Sequence, residues 1–226
     1  MSQTQHLIEI QDLGKTYTSG KNLVTAIDRM DFCIDDGEFV TIMGQSGSGK
    51  STLLSSRGAL NRPTRGKVFV DSLDLYALTH EQRADFRSEY LGFIFQSFQL
   101  IPYLTVLENI KLPMAVTGRT KREQHHMAVE VIERVGLKTK SDRLPDQLSG
   151  GEQERVAIAR AIVNKPPIIL ADEPTGNLDS ETAKEIMGLL KSLNRDGHTI
   201  IMVTHNTEME KFASRTIRVR DGNSHA

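Results

Sequence analysis

Apolar runs of strand length recur along the chain at Phe39–Met43, Lys67–Val70, Gly92–Phe95, Ile168–Ala171 and Thr199–Val203, several of them separated by segments with helical spacing. Strands that read as near-continuous apolar runs and alternate with helices predict an α/β fold whose core is a mainly parallel sheet. In Ser180–Arg195, residues Ala183, Ile186, Met187, Leu190 and Leu193 form one stripe that faces a sheet, and Gly197 ends the helix. Leu7–Leu13 and Val24–Ile34 alternate more strictly and predict antiparallel strands added at one side. Between Phe98 and Asn164 the strand pattern stops. Val106–Val116 and Lys121–Val135 read there as helices, the second with Ala128, Val131, Ile132 and Val135 on one face. The expected organisation is a single domain over 1–226. Residues 1–96 and 165–226 make the α/β core with its antiparallel part, and 97–164 make an inserted helical lobe.

Composition narrows the chemistry. The 226 residues carry 28 Lys+Arg against 29 Asp+Glu, a formal charge of -1. That balance provides no general attraction for nucleic acid or an anionic lipid surface, so phosphate chemistry must be local. Arg119–Arg122 and Glu123–His126 read as the solvated start of a helix. Cys33, the single cysteine, allows neither a disulfide framework nor a zinc quartet and fits a reducing cytoplasm. The first residues lack the pattern of a secretory leader, and no segment approaches the roughly 18–20 apolar residues that span a bilayer. Any membrane role is therefore expected to come through a partner.

Gly44–Ser51, G-Q-S-G-S-G-K-S, matches G-x-x-x-x-G-K-[ST] between the strand Phe39–Met43 and a helical segment Ser51–Leu60. Small residues let this backbone curl its N–H groups toward phosphate oxygens, and the helix start adds a favourable dipole. Lys50 is expected to hold the β- and γ-phosphates and Ser51 to ligate Mg²⁺. The strand Ile168–Ala171 runs into Asp172 and Glu173 at the edge where α/β sheets bind ligands. Asp172 suits the Mg²⁺ side, through water, and Glu173 suits a base that orients and deprotonates the attacking water. His205 follows Thr199–Val203 and Thr204 in the same way. Gln96 follows Gly92–Phe95 where the helical insert begins, placed to sense a γ-phosphate. A further feature stands apart from these: Ser149, Gly150 and Gly151 precede an Arg-flanked apolar run ending at Ala161, a helix start ready for an anion.

Taken in order, the loop at Gly44, Gln96, Leu-Ser-Gly-Gly-Glu-Gln at 148–153, Ile-Leu-Ala-Asp-Glu-Pro at 169–174, Gly-Asn-Leu-Asp at 176–179 and His205 resemble the motif series of ATP-binding cassette ATPases over nearly the whole chain. The segments at 37–44, 61–64, 92–96 and 107–113 are most similar to the lipoprotein-releasing and macrolide-exporting group. The resemblance implies a P-loop NTPase core with helices on both faces of the sheet, an antiparallel β subdomain and a helical signature subdomain. It also implies two MgATP bound at a head-to-tail dimer of two copies.

By the same resemblance the nucleotide contacts are Tyr17, Gly44, Ser46, Gly47, Ser48, Gly49, Lys50, Ser51 and Thr52. Ser149, Gly150, Gly151, Gln153 and Asp179 would serve the site of the second copy. Ser51, Gln96 and Asp172 would attend Mg²⁺, and Glu173, His205, Gln96 and Lys50 would carry catalysis. The implied membrane partner is a permease docking near Gln96 and Phe98–Glu108, which places the chain on the inner face of the cell membrane without inserting it. The implied work is export or lipoprotein release, with transmembrane signalling by a division-type relative as the alternative. A soluble DNA-maintenance ATPase is disfavoured, because the span from Lys50 to Ser149 leaves no room for a long coiled-coil arm. Two departures stand out. Ser55–Gly58 interrupts an otherwise apolar helix with Arg57 on its inner stripe, a change expected to leave the ATPase active. Arg65 and Ser72 stand where similar chains carry Ser and Gly.

Overall fold

The computed structural model describes residues 6–19, 22–44, 53–54, 61–220 and 223–225. Of the predicted phosphate loop, Gln45–Thr52 lie outside the described residues, as does Arg57. The chain runs β1 (Ile8–Ser19), β2 (Asn22–Ile34), β3 (Phe39–Met43), β4 (Arg65–Val70), β5 (Leu73–Asp74), α1 (His80–Tyr90), β6 (Leu91–Ile94), α2 (Val106–Lys111), α3 (Lys121–Arg134), α4 (Gly150–Ile162), β7 (Ile168–Asp172), α5 (Ser180–Arg195), β8 (Thr199–Thr204), β9 (Arg215–Arg220) and β10 (Asn223–His225).

The strands form one sheet in the order β5-β4-β1-β2-β10-β9-β3-β8-β7-β6. The run β9-β3-β8-β7-β6 is parallel, β5, β4, β1 and β2 are antiparallel to one another, and β10 joins the two parts, parallel to β2 and antiparallel to β9. Alternate residues of the parallel strands enter two different cores. Ile169, Ala171, Ile200 and Met202 join α2–α5 on one side, and Ile168, Leu170, Ile201 and Val203 join the β1, β2 and β4 residues on the other. Burial on both faces is why these strands read as unbroken apolar runs. The stripe predicted on α5 is buried in full, and Gly197 closes that helix at φ +101°, a left-handed value that glycine takes without strain. The described residues between Phe98 and Asn164 contain helices and turns.

One reading of the pattern needs correction, and two elements go unannounced by it. The helix predicted over Val106–Val116 is α-helical only to Lys111, and Leu112–Met114 tightens into a 3₁₀ turn. Pro113 is the cause, since it has no N–H for the ladder and its ring crowds the carbonyl one turn back. Helix α1 has no apolar stripe to announce it and buries only Arg83 and Phe86. Its signal lies in Thr79 and Gln82, which form a reciprocal capping box. Strand β9, Arg-Thr-Ile-Arg-Val-Arg, hides two buried residues, Ile217 and Val219, among alternating charges. The charged stretch around Arg119–His126 is indeed a helix start, with Thr120 and Glu123 capping α3.

The two departures in the antiparallel part have local accounts. Arg65 ion-pairs through Nε with Asp12 at 3.1 Å and donates to the Asp28 carbonyl at 2.8 Å, tying a bulge of β1 to β2. Between β4 and β5 the turn places Asp71 at φ +48° and Ser72 at φ +65°. A two-residue hairpin with both central residues left-handed strongly favours glycine at the second position. Ser72→Gly is therefore expected to stabilise the protein by about 1 kcal/mol, seen as a higher urea midpoint at unchanged m-value.

Candidate active site

The parallel register brings the ends of four strands to one edge. Ile94 of β6 pairs with Ala171 of β7, Asp172 with Val203 of β8, and Met43 of β3 with Thr204. Gln96, Asp172, Glu173, Thr204 and His205 therefore emerge side by side, and Gly44, the first residue of the predicted phosphate loop, follows Met43 at the same edge.

Glu173 extends the ladder by donating its N–H to the Val203 carbonyl at 2.9 Å, then turns sharply, with φ +49°. A left-handed glutamate costs of order 1–3 kcal/mol and is typical of a residue held by function. Its carboxylate receives two donors, His205 Nδ1 to Oε1 at 2.8 Å and Thr204 Oγ1 to Oε2 at 3.2 Å. The His205 side chain remains 64% exposed while that of Glu173 is only 11% exposed. The carboxylate is thus sheltered and oriented, and the imidazole faces outward. Because an ionised carboxylate only accepts, the contact puts the imidazole proton on Nδ1.

Gln96 is drawn into the same cluster from the other side. Its carbonyl accepts from Asn177 Nδ2 at 2.7 Å. Gly176 packs close by, where a Cβ would stand 3.4 Å from Gln96 Nε2 and 3.3 Å from the Glu173 carbonyl. Beyond Gln96 the chain enters two left-handed residues, Phe98 at φ +60° and Gln99 at φ +52°. The Arg160 guanidinium, from α4, donates to both of their carbonyls. Asn109, buried on α2, accepts from Ile101 N–H at 2.8 Å and donates to the carbonyls of Ile101, Leu104 and Thr105. Sequence reasoning missed Asn177, Arg160 and Asn109. The partners of Asn177 and Arg160 are main-chain atoms far along the chain, which no local pattern reveals, and Asn109 bonds the main chain of an irregular turn just before its own helix.

The start of α4 is a second cluster. Ser149 is the N-cap: its Oγ accepts from Glu152 N–H at 3.3 Å, and the Glu152 carboxylate accepts from Ser149 N–H at 2.9 Å. The backbone N–H of Ser149 and then Lys140 hold the Glu152 carboxyl below its ordinary value. The Ser149 hydroxyl accepts the capping bond through a lone pair and also lies within hydrogen-bonding reach of the Glu152 carboxylate. The N–H groups of Gly150 and Gly151, in the first helical positions, have no intrahelical acceptor. A Cβ on Gly151 would lie 2.5 Å from Thr182 Cγ2. That threonine is fixed because its hydroxyl donates to Asp179 Oδ2 at 2.6 Å. Gly151 thus has a packing reason beyond any close approach of a ligand. Asp179 caps α5, and its carboxyl is held below the ordinary range, chiefly by the Thr182 hydroxyl. Gln153 turns its amide inward to the Leu148 carbonyl at 3.2 Å. Tyr17 lies elsewhere, on β1, with the Lys15 ammonium 5.0 Å from its ring centroid.

A phosphate-loop entry, an acidic pair and a histidine at the edge of one parallel sheet define a nucleotide-hydrolysing α/β protein. The family model described as ABC transporter matches residues 27–176. Over 216 residues the chain is 48% identical to an ABC transporter ATP-binding protein, MJ1508 of Methanocaldococcus jannaschii, covering 96% of each. It is 45% identical over 222 residues to the macrolide export ATP-binding/permease protein MacB of Chlorobium luteolum, covering 98% of this chain but 33% of that one. The MJ0796 cassette, solved as a dimer, superimposes with a TM-score of 0.90 at 44% identity over 97% of both chains. The same cassette has been solved in a post-hydrolysis state bound to ADP and Pi, with a TM-score of 0.89 and 42% identity. The chain belongs to the ABC transporter family, as one of its ATP-hydrolysing cassettes.

Proposed function

We propose that two copies of this ATPase close head to tail around two MgATP, and that closure drives a membrane permease in export or lipoprotein release. The observation that carries this reading is the start of α4. The N–H groups of Gly150 and Gly151 have no intrahelical acceptor there, Ser149 stands beside them as the cap, and Gly151 packs against Thr182, which is bonded to Asp179. A phosphate held on the opposite copy's Gly44–Ser51 loop would complete that cluster. A relative solved as a dimer and one that joins cassette and permease in a single protein support it.

Within one copy, Glu173 takes the proton of the water attacking the γ-phosphate, while His205 holds the carboxylate and faces the phosphate side. Asp172 and the Gln96 side-chain oxygen leave neighbouring strands at one edge. These hard oxygen donors, with Ser51, suit Mg²⁺, a cation that takes one or two carboxylates and completes its shell with phosphate and water. Held by these residues, the cation would supply neutralisation of charge on the transferring phosphoryl group. Lys50, Ser46, Gly47, Ser48, Gly49 and Thr52 complete the phosphate cradle, and Tyr17 stacks on the adenine.

The permease seat is the segment Phe98–Glu108. There Arg160 and Asn109 pin the main chain while Tyr103 is left 77% exposed. A rigid backbone presenting an aromatic ring is a suitable anchor for a cytoplasmic helix. Among the described residues no helix is long and apolar enough to cross a membrane, and on this reading the permease holds the chain at the inner face.

Ser149→Arg tests the trans arrangement. ATP hydrolysis should fall by about 100-fold or more, while ATP binding by the isolated monomer, followed by equilibrium dialysis, stays near the wild-type value. Loss of monomer binding would place the α4 start on its own chain's nucleotide.

A further inference from the structure

Thr204, the last residue of β8, is 1% exposed, and its hydroxyl joins two partners. It accepts the Asn206 N–H at 3.1 Å and donates to Glu173 Oε2 at 3.2 Å. The direction of that proton is determined. A hydroxyl has one proton, Asn206 N–H can only donate, and an ionised carboxylate can only accept. Asn206 is itself fixed, because its side-chain oxygen accepts Glu208 N–H at 2.9 Å as the cap of the turn Thr207–Phe212.

The two donors on Glu173 therefore differ in kind. His205 has a long, largely exposed side chain. Thr204 has a single short torsion inside a strand end flanked by Met43 of β3 and by β7. The backbone of Glu173 is left-handed, so its side chain leaves the sheet in a direction the strand alone does not set, and a rigid donor is needed to choose the rotamer.

We propose that Thr204 is a positioning residue for ATP hydrolysis. Its hydroxyl, oriented by Asn206 N–H, holds Oε2 of Glu173 so that Oε1 is presented to His205 and to the attacking water. The inference rests on Glu173 acting as the base, and it adds a residue that touches neither nucleotide nor water.

The test compares steady-state hydrolysis of Thr204→Val, Thr204→Ala and Thr204→Ser with that of wild type and Glu173→Gln, alongside thermal unfolding. Valine keeps the volume and loses the hydroxyl, alanine loses the hydroxyl without the branch, and serine keeps the hydroxyl. The expected result is a kcat about tenfold lower for the valine and alanine variants, with KM for ATP within about twofold and serine restoring turnover to within about twofold. An unchanged kcat in both hydroxyl-free variants, or a serine variant as impaired as valine, would overturn the proposal and leave Thr204 as packing. If Glu173→Gln itself keeps normal turnover, the base assignment fails instead, so the two failures are distinguishable.

Discussion

Glu173→Gln should lower steady-state ATP hydrolysis by about 10²- to 10⁴-fold, the range a positioned general base contributes. The amide retains the size of the side chain and keeps one oxygen, which can accept from either the Thr204 hydroxyl or His205 Nδ1, while its NH2 replaces the other acceptor. It has lost one of two acceptors and the ability to take a proton from water. Nucleotide binding draws on the Gly44–Ser51 loop and should survive. A protein that binds ATP and cannot consume it accumulates in the closed form. Size-exclusion chromatography with light scattering under saturating MgATP should accordingly show a dimer that is absent without nucleotide. A variant that stays monomeric under those conditions contradicts head-to-tail closure, and one that hydrolyses at the wild-type rate contradicts the role given to Glu173.

The second large effect concerns stability. Glu154, on α4, is fully buried, and neither carboxyl oxygen finds a hydrogen-bond partner among the described residues. Burial pushes its carboxyl up from 4.5 to about 8, with the Arg160 charge opposing the rise. The same burial pulls the Arg160 guanidinium down, against the pull of Glu154. Below the unfolded value both states are protonated and nothing is lost. As the pH rises above it the unfolded chain releases a proton that the folded chain must keep, so stability falls until the folded group ionises as well. At pH 7 this amounts to about 3 kcal/mol, at 1.4 kcal/mol per unit of displacement.

Glu154→Gln removes the titration while leaving a neutral polar group of the same size. It should therefore stabilise the protein by about 3 kcal/mol at pH 7, with the gain shrinking toward zero near pH 4.5 and levelling off on the alkaline side. Urea unfolding of both proteins across pH 5–9 measures it. A difference independent of pH would show that the carboxyl is not the group being titrated.

These effects differ in how far they could be read from the chain itself. Glu173 and His205 are legible because each ends a run of buried β residues, and a parallel sheet gathers such ends at one edge. The cap at Ser149 is legible because Ser-x-x-Glu before an apolar run is a local device. Glu154 is not, since it lies two residues after that capping glutamate in a charged stretch that reads as an exposed helix face. Only the packing of α4 against its neighbours turns it inward. Helix α1 escaped for the opposite reason, because it contributes so little to the core that no stripe marks it.

What the sequence determined by itself was the local chemistry and its order: the phosphate-loop pattern, the acidic pair, the signature serine and glycines, and the period of each strand and helix. These follow from preferences acting over a few residues, and a one-dimensional pattern records them. Tertiary structure alone decided which groups meet. It put Asn177 on the Gln96 carbonyl, Arg160 on the strained turn at Phe98 and Gln99, Thr182 between Gly151 and Asp179, and Thr204 beneath Glu173. Most of these contacts join residues tens of positions apart, and several are made to main-chain atoms whose positions depend on the fold of the whole sheet.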